Sequence, residues 1–142
     1  MPGRSLILSL LNHDSTNAVQ QWIEALPLEK VKQHNLSFIN IVFPGGLFFL
    51  IPPRKALKTL QKRIDREVKS YLEHAGAKER RIFQELDIRW VADFDQSIFE
   101  EFNLSPQKSH FLFFNSQGDL LGQYTGFSEI QKIHFLWRLN KE

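Results

Sequence analysis

The run Leu6–Leu11, LILSLL, admits few folds. Five of its six residues are apolar, and the polar segment Asn12–Asn17 closes it. A run this short suits a strand better than a helix, and one without polar alternation is the pattern of a strand covered on both faces. Such a strand demands helices above and below a sheet, and the rest of the sequence supplies them. Val19, Trp22, Ile23 and Leu26 recur at helical spacing, Pro27 breaks or restarts that helix, and Asn35 is an end signal. Leu36–Phe43 reads as a second strand. Arg54–Leu72 is the clearest helix, with Leu57, Leu60, Ile64, Val68, Tyr71 and Leu72 at spacings of three and four.

Ile88–Ala92 is a third strand, after which Asp95 is expected to cap a short helix carrying Ile98, Phe99 and Phe102. His110–Phe114 and Leu120–Tyr124 flank NSQGD, a hairpin turn containing a glycine. Ser128 with Gln131 makes a capping-box signature before a last helix, whose Ile130, Ile133, Leu136 and Trp137 are expected to face inward. The order is therefore β-α-β-α-β-α-β-β-α. Helical connections make the first three strands parallel, with right-handed crossovers, and the hairpin makes the last pair antiparallel. The expected architecture is a mixed five-stranded sheet with helices on both faces. With no linker, repeat or low-complexity segment, residues 1–142 read as one domain.

Composition excludes several chemistries. The chain has no cysteine, so it has no disulfide, no thiol catalysis and no thiolate metal site. No stretch approaches the ~20 apolar residues of a membrane-spanning helix. MPGRSLILSLLN does not read as a signal peptide, because its apolar residues are better used as a strand; if the protein is exported, its signal has already been removed. Thirteen phenylalanines predict an aromatic-rich core.

Three segments, IRWVADFDQSIFEEFNL, SHFLFFNSQGDLLGQYTG and FSEIQKIHFLWRL, together with the element order, resemble the thioredoxin-like superfamily. The similarity is to its peroxiredoxin-like and thiol-disulfide oxidoreductase-like branch, and it spans about Gly3 to Leu139. It implies a thioredoxin-like three-layer sandwich. In redox-active members of that superfamily the catalytic cysteines open the helix after the first core strand, where the helix N-terminus stabilises a thiolate. The resemblance puts Asp14 and Asn17 at those positions. It puts Ser109 where the family carries a cis-proline, with only Lys108 near the place of a thiolate-stabilising arginine. The degenerate active-site positions are thus Asp14, Asn17 and Ser109, and the redox reading fails. The resemblance also favours a periplasmic location.

Other candidates come from the residues themselves. His13, Asp14, Ser15 and Thr16 adjoin in one turn, a poor way to assemble a nucleophile and base that usually come from separated segments. Helix capping by Asp14 or Ser15 accounts for them, and a small-anion site there is the other option. Asp93 and Asp95 lack a calcium-loop pattern, and the five histidines lack zinc spacing, so neither a metal nor a cofactor is expected. His110 either packs as a strand histidine or faces the old active-site pocket.

Residues 54–81 carry 10 basic and 4 acidic residues, whereas residues 82–142 carry 5 and 9. At 100° per residue Lys55, Lys58, Lys62, Arg66 and Lys69 form one stripe about 80° wide, opposite Leu57, Ile64 and Val68. The stripe is either a solvated face or a docking face for an acidic partner, nucleic acid or anionic lipid. Nucleic acid is the weakest option, since no nucleic-acid motif accompanies it. Phe43–Ile51 is almost wholly apolar, and it either tucks into the core or exposes Phe48 and Phe49 to a partner. The expected function is a redox-inactive protein-binding module. The alternative is a non-thiol enzyme with a polar pocket around His13, Asp14 and His110.

Overall fold

The structure is a computed structural model and describes residues 4–11, 16–42, 53–92, 97–105 and 108–142. Strand β1, Leu6–Leu11, enters the sequence of elements first. Helix α1 follows at Thr16–Ala25, and after Pro27 a separate helix α2 runs over Leu28–Gln33. Proline has no N–H and a fixed φ, which suits the start of a helix and no other helical position. Asn35 then takes a φ of 49°, the left-handed turn that ends a helix. Strand β2 is Ser37–Val42, and the long helix α3 is Pro53–His74.

The next element corrects the sequence reading. Residues 77–85 form a further helix, α4, Ala77–Glu85, which the apolar pattern does not reveal. Its sequence AKERRIFQE is mostly charged, and its N-cap Gly76 offers no side chain to cap with. What holds it is tertiary packing, because Ile82 is fully buried in the core. Then come β3 (Asp87–Ala92), α5 (Ser97–Glu101), β4 (His110–Phe114), β5 (Leu120–Thr125) and α6 (Glu129–Lys141).

The sheet order is β3-β2-β1-β4-β5. β1 pairs parallel with β2 and β2 with β3, while β4 lies antiparallel to both β1 and β5. Pleating separates two cores. Ile7, Leu11, Phe38, Val42, Phe111, Phe113 and Tyr124 point to one face, covered by Trp22 and Ile23 of α1, Leu26 just after it, Val31 of α2, Ile82 of α4 and Phe135 of α6. Leu8, Leu10, Ile41 and Leu112 point to the other, where Phe99 of α5 covers them. Trp22 sits at the centre of the larger core against Phe111, Tyr124, Phe127 and Phe135, with ring centroids 5.1–5.6 Å away. Its Nε1 donates to the Gly126 carbonyl at 2.9 Å, so the largest side chain of the core is also hydrogen-bonded.

Two turns form as their residues dictate. In NSQGD the Asn115 Oδ1 accepts the backbone N–H groups of Gln117 and Asp119, and Gly118 takes a φ of 89°. At the start of α6, Ser128 Oγ accepts the N–H of Gln131. Gln131 does not return a bond to Ser128. Its side chain instead makes two 3.0 Å bonds with the backbone of Thr125, tying α6 to the end of β5.

That tie sets the rotation of α6 and overturns its expected inward face. Phe135 and Leu139 are buried and Leu136 partly so, but Ile130, Ile133 and Trp137 are 81%, 65% and 50% exposed. The helix has two apolar stripes, and the one carrying Phe135 wins because Trp22 and Phe113 receive that ring edge-on.

Candidate functional site

The end of the sheet to which the sequence resemblance assigns Asp14, Asn17 and Ser109 is formed by Leu11, the start of α1 and the start of β4. Leu10 pairs with His110, so Ser109 lies one residue beyond that pair, where its carbonyl accepts the N–H of Gly126 at 2.9 Å. His110 is buried, 5% exposed, on the α5 face. Its Nε2 lies 2.8 Å from the Ser105 carbonyl and its ring meets Phe99 edge-on, while Nδ1 has no hydrogen-bond partner among the described residues. No acid or base among the described residues hydrogen-bonds it. His13, Asp14, Ser15, Asp93 and Asp95 lie outside the described residues, as do Phe48, Phe49 and the side chain of Asn17. Among the described residues no three His, Asp or Glu side chains converge on one point.

A second polar feature lies deeper. Ser9 and Asn40 pair across β1 and β2, both fully buried on the face beneath α1, and Ser9 Oγ donates to Asn40 Oδ1. This bond satisfies one oxygen of the amide and leaves Asn40 Nδ2 without a partner among the described residues. Nothing in the sequence pattern flags this pair, because both residues sit inside apolar runs.

The basic stripe is where the helix period put it. Lys55, Lys58, Lys62, Arg66 and Lys69 are all exposed along α3, and Val68 on the opposite side packs against the larger core. The side chains of Leu57, Leu60 and Ile64 lie outside the described ones. Among the described residues none of the five cations forms an ion pair. Three of them, Lys58, Lys62 and Arg66, stand at i, i+4 and i+8, an arrangement of like charges that destabilises a helix by ~0.2–0.5 kcal/mol per pair.

At the sheet edge beside α4 the charges are arranged differently. The hydrogen bond from Arg89 is the main reason the Asp87 carboxyl sits below its ordinary pKa, with Ser37 and Arg4 adding to it. Arg89 Nη2 lies 3.3 Å from Asp87 Oδ2, and Arg4 Nη2 3.6 Å from it. This carboxylate is therefore occupied by Arg89, Arg4 and Ser37.

No protein-family model matches the sequence, and neither does any curated protein. Solved structures do match. A thiol-disulfide oxidoreductase from Bacteroides fragilis superposes with a TM-score of 0.54 at 15% identity, over 97% of this chain and 82% of that one. The mitochondrial 2-Cys peroxiredoxin from Plasmodium falciparum gives a TM-score of 0.53 at 10% identity, over 97% and 74%. The exposed lipoprotein thioredoxin of Streptococcus pneumoniae gives 0.52 at 12% identity, over 99% and 86%. At these identities the likeness speaks for the backbone alone. The chain has the thioredoxin-like α/β fold, and it has that fold without a single cysteine.

Proposed function

We propose that the protein is a redox-inactive binding module that docks an acidic protein surface along α3. The observation that carries this reading is the stripe of five exposed cations, none of them ion-paired among the described residues. The sequence tolerates like-charge repulsion at successive turns of one helix, and an acidic partner relieves it. Asp14, Asn17 and Ser109 are then degenerate active-site positions, standing where the resemblance puts the two cysteines and the cis-proline. Phe48 and Phe49 belong to the same reading as a second contact. The resemblance and the exposed lipoprotein among the similar structures support a location outside the cytoplasm.

Lys62→Glu and the triple variant Lys58→Glu, Lys62→Glu, Arg66→Glu test it with polyglutamate as the acidic probe. Lys62→Glu replaces two repulsive i,i+4 pairs with attractive ones, so its melting temperature should rise by about 1–3 °C. Polyglutamate binding at low salt should weaken in the single variant and vanish in the triple. Binding that survives triple reversal returns the stripe to an ordinary solvated face.

A second reading has one observation in its favour, the buried and unpartnered Nδ1 of His110. It makes the protein a non-thiol enzyme whose pocket unites His110 with His13 and Asp14. A His110→Gln variant that folds normally and loses a hydrolytic activity present in the wild type supports that reading over the binding module.

A further inference from the structure

Helix α6 covers the sheet with Phe135 and Leu139 and turns a second apolar stripe, Ile130, Ile133 and Trp137, to solvent. These three stand at i, i+3 and i+7, within an arc of about 60° at roughly 100° per residue. We propose that this face docks on an anionic lipid bilayer, with Ile130, Ile133 and Trp137 entering the headgroup region and Arg138 and Lys141 meeting lipid phosphates. The inference goes beyond the α3 reading and does not depend on it.

Charge commits the face to that occupant. Lys141 Nζ lies 3.8 Å from the centre of the Trp137 ring, and the Arg138 guanidinium 5.6 Å from it. Among the described residues neither cation forms an ion pair, and Arg138 Nε has no hydrogen-bond partner. The two acids of this segment are engaged elsewhere. Glu129 borders the stripe beside Ile133, where Lys132 Nζ holds its Oε2 at 2.6 Å. Glu142 lines a polar hollow with Ser5, His34 and Asn115. One neutral ion pair and two uncompensated cations therefore frame the apolar stripe, and the surface it fits is apolar within and anionic at its boundary.

The arrangement at Trp137 suits such a boundary. A tryptophan ring sits at headgroup depth with its apolar body inward and its N–H wet. Lysine and arginine lay their stems along apolar surface and keep their charged heads at the level of water and phosphate. Lys141 and Arg138 already lean over the ring, so insertion of Trp137 carries both cations to that level. Size sets the rival occupants aside. A stable protein interface takes ~800 Å² from each partner, and three side chains along a convex helix fall short of it, whether the partner is a second copy or an acidic protein. A bilayer accepts a few protruding apolar side chains and surrounds them with anionic groups.

The test uses the full chain with vesicles of phosphatidylcholine alone and of phosphatidylcholine with about one-third phosphatidylglycerol. Sedimentation should show binding at least tenfold tighter to the anionic vesicles. Lipids brominated on the upper acyl chain should quench tryptophan emission in the wild type and not in Trp137→Phe. Ile130→Gln with Ile133→Gln changes only exposed side chains, so it should keep the melting temperature and weaken vesicle binding at least tenfold. Lys141→Gln should lower affinity for the anionic vesicles about fivefold. The quenching readout stands if a variant folds poorly. No binding at about 1 mM anionic lipid overturns the inference. So does vesicle binding that the triple reversal on α3 abolishes and the Ile130, Ile133 double variant leaves intact, an outcome that assigns it to the α3 stripe. Loss of polyglutamate binding in place of vesicle binding in the double variant also overturns it, by giving the face to an acidic protein.

Discussion

At the scale of single residues, burial decides what polar groups become. The chain has two tyrosines, and burial pushes the hydroxyls of both up to about 12. For Tyr71 the carboxylates of Glu24 and Glu79 add to burial; for Tyr124 burial dominates and Arg138 opposes it. Tyr124 also hydrogen-bonds Nδ1 of His134 at 2.9 Å, and a Cβ at Gly122 would clash with its hydroxyl oxygen. The sign follows from linkage. The unfolded chain loses these protons near pH 10 and the folded one near 12, so stability is intact below about pH 10 and falls as pH rises towards 12. An ultraviolet titration of the native protein should show no tyrosinate until well above pH 10, followed by ionisation and unfolding together. Ionisation of a full tyrosine equivalent near pH 10 in the folded state would contradict this packing.

At the scale of elements, α6 shows how a short local contact sets a long one. Ser128 caps the helix and Gln131 ties it to Thr125, so the rotation that buries Phe135 and Leu139 begins in the first turn. Ser128→Ala removes the cap and should cost ~0.5–2 kcal/mol. Thermal unfolding should then shift down by roughly 2–6 °C, with polyglutamate binding unchanged. An unaltered melting temperature would mean that α6 is held by its core contacts alone. The companion expectation, that Asp14 or Ser15 caps α1, falls on residues outside the described ones and stays an expectation.

At the scale of the whole molecule, composition limits what the fold can do. The fold is that of thiol-disulfide oxidoreductases and peroxiredoxins, yet chemistry of their kind needs a thiolate and this chain has no cysteine. Purified protein should neither reduce insulin disulfides nor consume hydrogen peroxide above the buffer rate. Turnover in either assay would require a redox group that the residues do not supply, and would end the binding-module reading. What the molecule does offer is charge separated along the chain, a basic segment over residues 54–81 and an acidic remainder. An acidic partner that docks on the basic face should therefore bind more weakly as salt rises.

Much of this was legible in the linear chain, for a local reason. Strand and helix identity at β1, β2, α1, α3 and β4 follows from apolar spacing, the breaks at Pro27 and Gly118 follow from backbone chemistry, and the stripe on α3 follows from the helical period. The absence of any thiol needs only a count of cysteines. Tertiary structure alone decided the rest. α4 is too polar to declare itself and exists because Ile82 finds a place in the core. α6 carries two apolar stripes of similar strength, so its buried face depends on which one the Trp22 cluster accepts. A cleft lined by Phe83, Ile88 and Trp90 could not be read at all, since it exists only where α3, α4 and the edge of the sheet meet. Periodicity is a property of neighbours along the chain, whereas the choice between faces, and any space enclosed between elements, is made by residues distant in sequence.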